Sequence, residues 1–143
     1  MTVPVLEAFA DAMMKYEGWF VGSRSYRNRN PGNLRRSAYT TLLDSEGYCV
    51  FQGLVAGYDA LLQELWAKVS GRNEHGITLD STIMNLFEVY APVADGNNPR
   101  VYAGFVAKEV GLVYSAGVGP GTTFRQVYKF ANQEPPESGQ PAA

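Results

Sequence analysis

Apolar residues along this chain return at spacings of three and four, the period of helices that bury one face. Val5, Phe9, Met13 and Tyr16 predict a first helix over about 3–16, which Gly18 breaks. Val55, Tyr58, Leu62, Leu65, Trp66 and Val69 predict a long helix over about 53–70, stopped by Gly71. A third helix carries Ile83, Leu86, Phe87 and Tyr90 inward; Asp80 or Ser81 is its expected cap and Pro92 its end. Pro99 suits the first turn of a fourth, whose inner face is Tyr102, Phe105, Val106 and Val110, with Gly111 as its expected C-cap. A glycine-rich turn over 117–121 leads to a last helix over about 122–132.

Two stretches break the helical period. Residues 18–38 are rich in Gly, Asn, Ser and Arg and predict an irregular loop, in which Pro31 forces Asn30 out of helix. The runs Tyr39-Thr40-Thr41-Leu42-Leu43 and Tyr48-Cys49-Val50-Phe51 flank Asp44-Ser45-Glu46-Gly47, which predicts a small β-hairpin with Gly47 at the left-handed position. The fold class is therefore mainly α (α+β), with about five to six helices and one hairpin. Residues 1–132 read as one domain and 133–143, rich in Pro, Gly, Ser and Ala, as a disordered tail.

Length and composition agree with that plan: 143 residues, 45% hydrophobic, suffice for one real core. The formal net charge is −2, so the whole molecule has no general affinity for nucleic acid. Five of the twelve basic residues, Arg24, Arg27, Arg29, Arg35 and Arg36, fall within 24–36, where no acidic residue occurs. Such a stretch on an acidic body suits a local anionic ligand, or is simply a solvated loop. Cys49 and His75 are each the single residue of their kind, which excludes an intrachain disulfide and argues against a histidine-based metal site; no cofactor is expected. The first twenty residues lack the basic start and continuous apolar core of a signal peptide, and no run approaches the length of a membrane span.

Glu17 is the candidate that carries chemistry. It ends an apolar helix, beside Tyr16, Gly18, Trp19 and Phe20, where lost water and the negative end of the helix dipole both favour the protonated acid. A proton donor held that way is what breaking a glycosidic bond requires. Pairing with Arg24 or Arg27 is the purely structural alternative. The loop Asn30-Pro31-Gly32-Asn33-Leu34-Arg35 offers amides that donate and accept, as sugar hydroxyls and N-acetyl groups require, although asparagines in turns often satisfy their own backbone.

Tyr16-Glu17-Gly18, followed by Arg27-Asn28-Arg29-Asn30-Pro31-Gly32-Asn33-Leu34-Arg35, resembles a lysozyme-like family common in phages and prophages. Val50-Phe51, Gly57-Tyr58-Asp59-Ala60-Leu61, Thr82-Ile83, Tyr90-Ala91-Pro92, Asn97-Asn98 and Tyr102 follow in the same order, so the resemblance spans about 10–112. It implies a lysozyme-like fold and cleavage of the β-1,4 bond between N-acetylmuramic acid and N-acetylglucosamine in peptidoglycan, by a muramidase or a lytic transglycosylase. Glu17 takes the catalytic position. The segment from Tyr90 through Asn97, Asn98 and Tyr102 is similar in placement to one that lines the glycan groove in lytic transglycosylases. Asp44 and Glu46, on the hairpin turn, are candidates for a second carboxylate, although they lie much further from Glu17 in sequence than the matching aspartate of phage-type lysozymes. Tyr26, Arg27, Asn30, Asn33 and Arg35 are candidate contacts to glycan or to the wall's peptide carboxylates.

The expected partner is thus peptidoglycan, not nucleic acid and not a membrane interior. A protein made in the cytoplasm without a signal peptide reaches the wall through lysis, virion delivery or a secretion machine. A wall-binding or virion structural protein without turnover is the alternative on the same scaffold.

Overall fold

The computed structural model describes residues 4–136. Among them, six α-helices occur in the order α1 (Val5–Glu17), α2 (Arg24–Arg27), α3 (Leu54–Val69), α4 (Ile83–Tyr90), α5 (Pro99–Tyr114) and α6 (Phe124–Ala131). A 3-10 turn, Val93–Asp95, joins α4 to α5. The architecture is mainly helical, as the periodicity requires. No helix among the described residues is long and apolar enough to cross a membrane.

The core sits where α1 and α4 both pack on α5, with α3 and α6 closing against α1. Helix α1 buries Val5, Ala8, Phe9, Ala12 and Met13, the stripe expected from its spacing, and Phe9 meets Phe124 of α6 at a ring separation of 5.2 Å. Fully burying one such side chain contributes about 1.5–3 kcal/mol. A second, smaller core of Leu34, Cys49, Phe51 and Ala60 lies under the irregular segment and ties it to α3.

Several boundaries depart from the sequence expectation, each for a local reason. The expected start of α1 at residue 3 lies outside the described residues; within them the helix begins at Val5, whose N–H donates to Oε1 of Gln133 at 3.0 Å. Gln133 is therefore tied to the body, whereas the disorder expected beyond 136 lies outside the described residues. Helix α2 falls inside the segment read as irregular: Ser23 caps it by accepting from the Tyr26 N–H, and four residues are too few for a periodic signal. Thr82, rather than Asp80 or Ser81, caps α4, through a capping box with Asn85. Helix α5 runs past Gly111 to Tyr114 and is capped by Ser115 in the left-handed region. Gly111 serves a close approach instead: a Cβ there would stand 2.7 Å from the Ala116 carbonyl oxygen.

The expected hairpin survives mainly as its turn. Gly47 takes the left-handed conformation at φ 88, while the flanking runs pair through one antiparallel bridge, Leu43 to Cys49. Backbone bonds from the Val50 N–H to the Leu42 carbonyl and from the Asp44 N–H to the Tyr48 carbonyl make that bridge, and the Gly47 N–H closes the turn on the Asp44 carbonyl. Side chains add Thr40 Oγ1 donating to the Val50 carbonyl at 2.9 Å and Asp44 accepting within the turn.

The segment that follows α2 is held by steric fit. Asn30-Pro31-Gly32-Asn33 is a tight turn closed by the Asn33 N–H on the Asn30 carbonyl at 3.0 Å. It rests on α3 where Gly57 leaves room; a Cβ at Gly57 would overlap the Arg29 carbonyl oxygen and stand 3.0 Å from Pro31. Gly32 is equally constrained, since a Cβ there would lie 2.6 Å from the Tyr90 hydroxyl and 2.8 Å from Leu61. Gly57→Ala is expected to push the turn off α3 and to destabilise the protein by about 3 kcal/mol, the upper part of the overpacking range; chemical denaturation of the two proteins checks this.

Candidate active site

Glu17 closes α1, and Gly18 follows at φ 87, its N–H turning back to the Lys15 carbonyl. The left-handed glycine ends the helix abruptly, so the Glu17 side chain leaves at a fixed point. Tyr102 of α5 donates its hydroxyl to Oε2 of Glu17 at 2.7 Å, and Asn33 of the tight turn donates Nδ2 to Oε1 at 2.9 Å. Each carboxyl oxygen thus has one donor, from opposite sides of the site.

A stack of rings supports this arrangement. Tyr16 stacks on Tyr102 at 4.0 Å, Tyr102 on Phe87 at 4.3 Å, and Tyr90 meets both Phe87 and Tyr102 edge-on. Tyr90 also donates its hydroxyl to the Gly32 carbonyl, which joins α4 to the tight turn. Its role is therefore to position the turn.

Burial under these rings pushes the Glu17 carboxyl above its ordinary value of 4.5, and the bonds from Asn33 and Tyr102, with the charge of Arg24, oppose the rise. The same burial pushes the Tyr90 and Tyr102 hydroxyls well above the usual tyrosine range, the Glu17 charge adding to it. Both phenols stay protonated, so Tyr102 remains a donor wherever Glu17 is titrated.

The other candidate residues separate into scaffold and surface. Asn30 is fully buried: its Oδ1 accepts from the Leu34 N–H, and its Nδ2 donates to the Leu34 and Cys49 carbonyls. It builds the turn and has no face for a ligand. Asn98 is the N-cap of α5, accepting from the Val101 N–H at 3.2 Å, and Asn97 beside it is exposed. Tyr26 is exposed, with its ring 5.2 Å from Trp19, and Arg27 donates to the Gly22 carbonyl at 3.0 Å. Trp19 and Phe20, with Asp11, Met14, Lys15 and Gly18, line a shallow groove along the last turns of α1.

Asp44 and Glu46 have structural partners. Asp44 accepts from the Glu46 and Tyr48 N–H groups, both at 2.9 Å, and from Asn28 Nδ2 at 2.8 Å. Those bonds, the one from Tyr48 foremost, hold its carboxyl below the usual range. Glu46 pairs with Arg24 at 2.8 Å. The guanidinium groups of Arg24 and Arg35 lie 4.2 and 4.1 Å from the Tyr48 ring, and Arg35 also donates to the Tyr48 hydroxyl. The arginine-rich stretch thus finds much of its bonding within the protein. Tyr48, Asn28 and Ser25, whose hydroxyl donates to the Gly18 carbonyl at 3.1 Å, support the site without having stood out in the sequence. Only the alternation of Tyr48 with Cys49 and Val50 hints at its outward face.

Comparison with models of protein families, with curated proteins and with solved structures gives no match to this chain. The site therefore speaks through its own geometry. Among the described residues, no three His, Cys, Asp or Glu side chains come together as metal ligands. What the arrangement offers is one half-buried, oriented carboxyl biased toward its acid form.

That bias has a cost in stability. A carboxyl whose value is raised on folding favours the fold fully below its unfolded value near 4.5, and the contribution disappears as pH rises through the higher folded value. Glu17→Gln, neutral at all pH, is expected to stabilise the protein at pH 7–8 by about 1 kcal/mol and to leave it no more stable than the parent at pH 4. Thermal melts of both proteins across that range check the sign.

Proposed function

We propose that this protein cleaves the β-1,4 bond between N-acetylmuramic acid and N-acetylglucosamine in peptidoglycan, with Glu17 as the general acid. The observation that supports this reading is the Glu17 carboxyl itself: half-buried at a helix end, shifted toward its protonated form, and pinned at both oxygens. The ordered resemblance around it supplies the polymer; the geometry supplies the acid. The groove along the last turns of α1, lined by Asp11, Lys15, Trp19 and Phe20 among others, offers apolar rings beside polar side chains, the mixed surface a sugar chain uses.

In the first step Glu17 gives its proton to the glycosidic oxygen as the bond from that oxygen to C1 breaks, and positive charge spreads over C1 and the ring oxygen. The Glu17 carboxylate left behind is stabilised by the Asn33 and Tyr102 donors. The second step needs a base for the incoming nucleophile. Asp44 is spent on its turn and Glu46 on Arg24, which favours Glu17 itself as that base. The C6 hydroxyl of the same sugar then attacks C1 and gives its proton to Glu17, closing a 1,6-anhydro ring and restoring the acid. Lytic transglycosylation is therefore the better-supported route, and hydrolysis, with water in place of the C6 hydroxyl, is its competitor. The enzyme meets the wall after release or delivery from the cell that made it.

Glu17→Gln keeps the shape of the site and removes the titratable proton. Release of soluble muropeptides from purified peptidoglycan is expected to fall at least about a hundredfold, with binding to the insoluble wall retained. Undiminished release overturns the assignment, and wall binding without release by the parent protein moves it to the binding class. Mass spectrometry of the products decides the route, since anhydro ends are lighter than reducing ends by one water.

A further inference from the structure

The two asparagines of the tight turn are used in opposite ways. Asn30 spends its side chain on backbone, with three hydrogen bonds that fold the loop. The Asn33 side chain makes one, to Oε1 of Glu17, and its own Oδ1 is buried without a partner. A buried amide oxygen with no donor carries a desolvation cost that the turn does not recover. The local backbone favours glycine or asparagine here but does not account for where the asparagine side chain is bonded. The Asn33 N–H closes the turn on Asn30, and its φ of 48 is a conformation that glycine adopts more readily.

We propose that Asn33 is a positioning residue for Glu17, kept in the turn so that Nδ2 fixes one carboxyl oxygen and sets the alkaline end of the acid's working range. The proposal rests on the role of Glu17 as the acid. Tyr102 from α5 holds the other oxygen, Tyr90 from α4 and Arg24 from α2 act through space, and Asn33 is the contact from the turn. Of these, Asn33 donates to the carboxylate and is a group that does not ionise. It stabilises the charged form, against the burial that opposes it. Because the turn is seated on α3 and bonded to Tyr90, a displacement of that seat reaches Glu17 directly through this side chain.

The test is a titration of the Glu17 carboxyl followed by carbon-13 NMR, with the signal assigned by its loss in Glu17→Gln. Asn33→Gly preserves the left-handed backbone and removes the amide; its titration midpoint is expected to rise by about one pH unit, the size of one charge-assisted hydrogen bond. Asn33→Asp, which also tolerates that backbone, places a second carboxyl against the first and is expected to raise the midpoint further. The alkaline limb of muropeptide release moves upward with the midpoint in whichever variant keeps activity. An unmoved midpoint in a folded variant overturns the proposal, and so does loss of the fold in both variants, which makes Asn33 a residue of the loop scaffold. The NMR readout needs no turnover, so failure of Glu17 as a catalyst and failure of Asn33 as its partner are seen separately.

Discussion

The carboxyl of Glu17 is fixed between a helix and a turn, and the turn has its place because two glycines let it lie against α3 and Tyr90. Gly57 admits the Arg29 carbonyl and Gly32 admits the Tyr90 hydroxyl, so backbone meets helix where side chains normally intervene. Asn30 then closes the turn through two side-chain bonds to Leu34 and ties it to the Cys49 carbonyl with a third. Rigid contact of this kind transmits position, because a packed contact has little room to relax. The orientation of Asn33, and through it one oxygen of Glu17, follows from that fit.

The aromatic stack gives the other half of the site its rigidity. Tyr16, Tyr102 and Phe87 lie ring on ring across α1, α5 and α4, the three helices that form the core. The same rings that stabilise the helix packing also strip part of the water from the Glu17 carboxyl. Core formation and acid tuning are therefore one physical event, and the unfavourable charge burial is offset by apolar contact already present. Sites of this kind hold a destabilising group that the surrounding fold over-determines.

Much of this was legible in the chain. The helices declared themselves through apolar spacing, and Glu17 stood out because a carboxylate followed by glycine ended an apolar run. The hidden parts are those that depend on contact between distant segments. Gly111 reads as a helix stop, yet its missing Cβ serves the Ala116 carbonyl. Asn30 and Asn33 look equivalent in a string of loop residues, and only the fold makes one a scaffold and the other a partner of Glu17. The arginine-rich stretch suggests an anionic ligand, but Arg24 and Arg35 turn to Tyr48 and Glu46, residues that a local reading places on a separate hairpin. The hairpin turn itself is read correctly from Asp44 and Gly47, while its strands shrink to one backbone-bonded bridge, supplemented by the Thr40 hydroxyl, which no period-two pattern reveals.

The two donors that hold Glu17 stand 16 and 85 positions away from it along the chain. Before α5 and the turn have docked, that glutamate is an ordinary solvated carboxyl without either donor. The bias toward the acid form arises only with these long-range contacts, so any local opening that frees α5 or the turn returns Glu17 to an ordinary carboxylate.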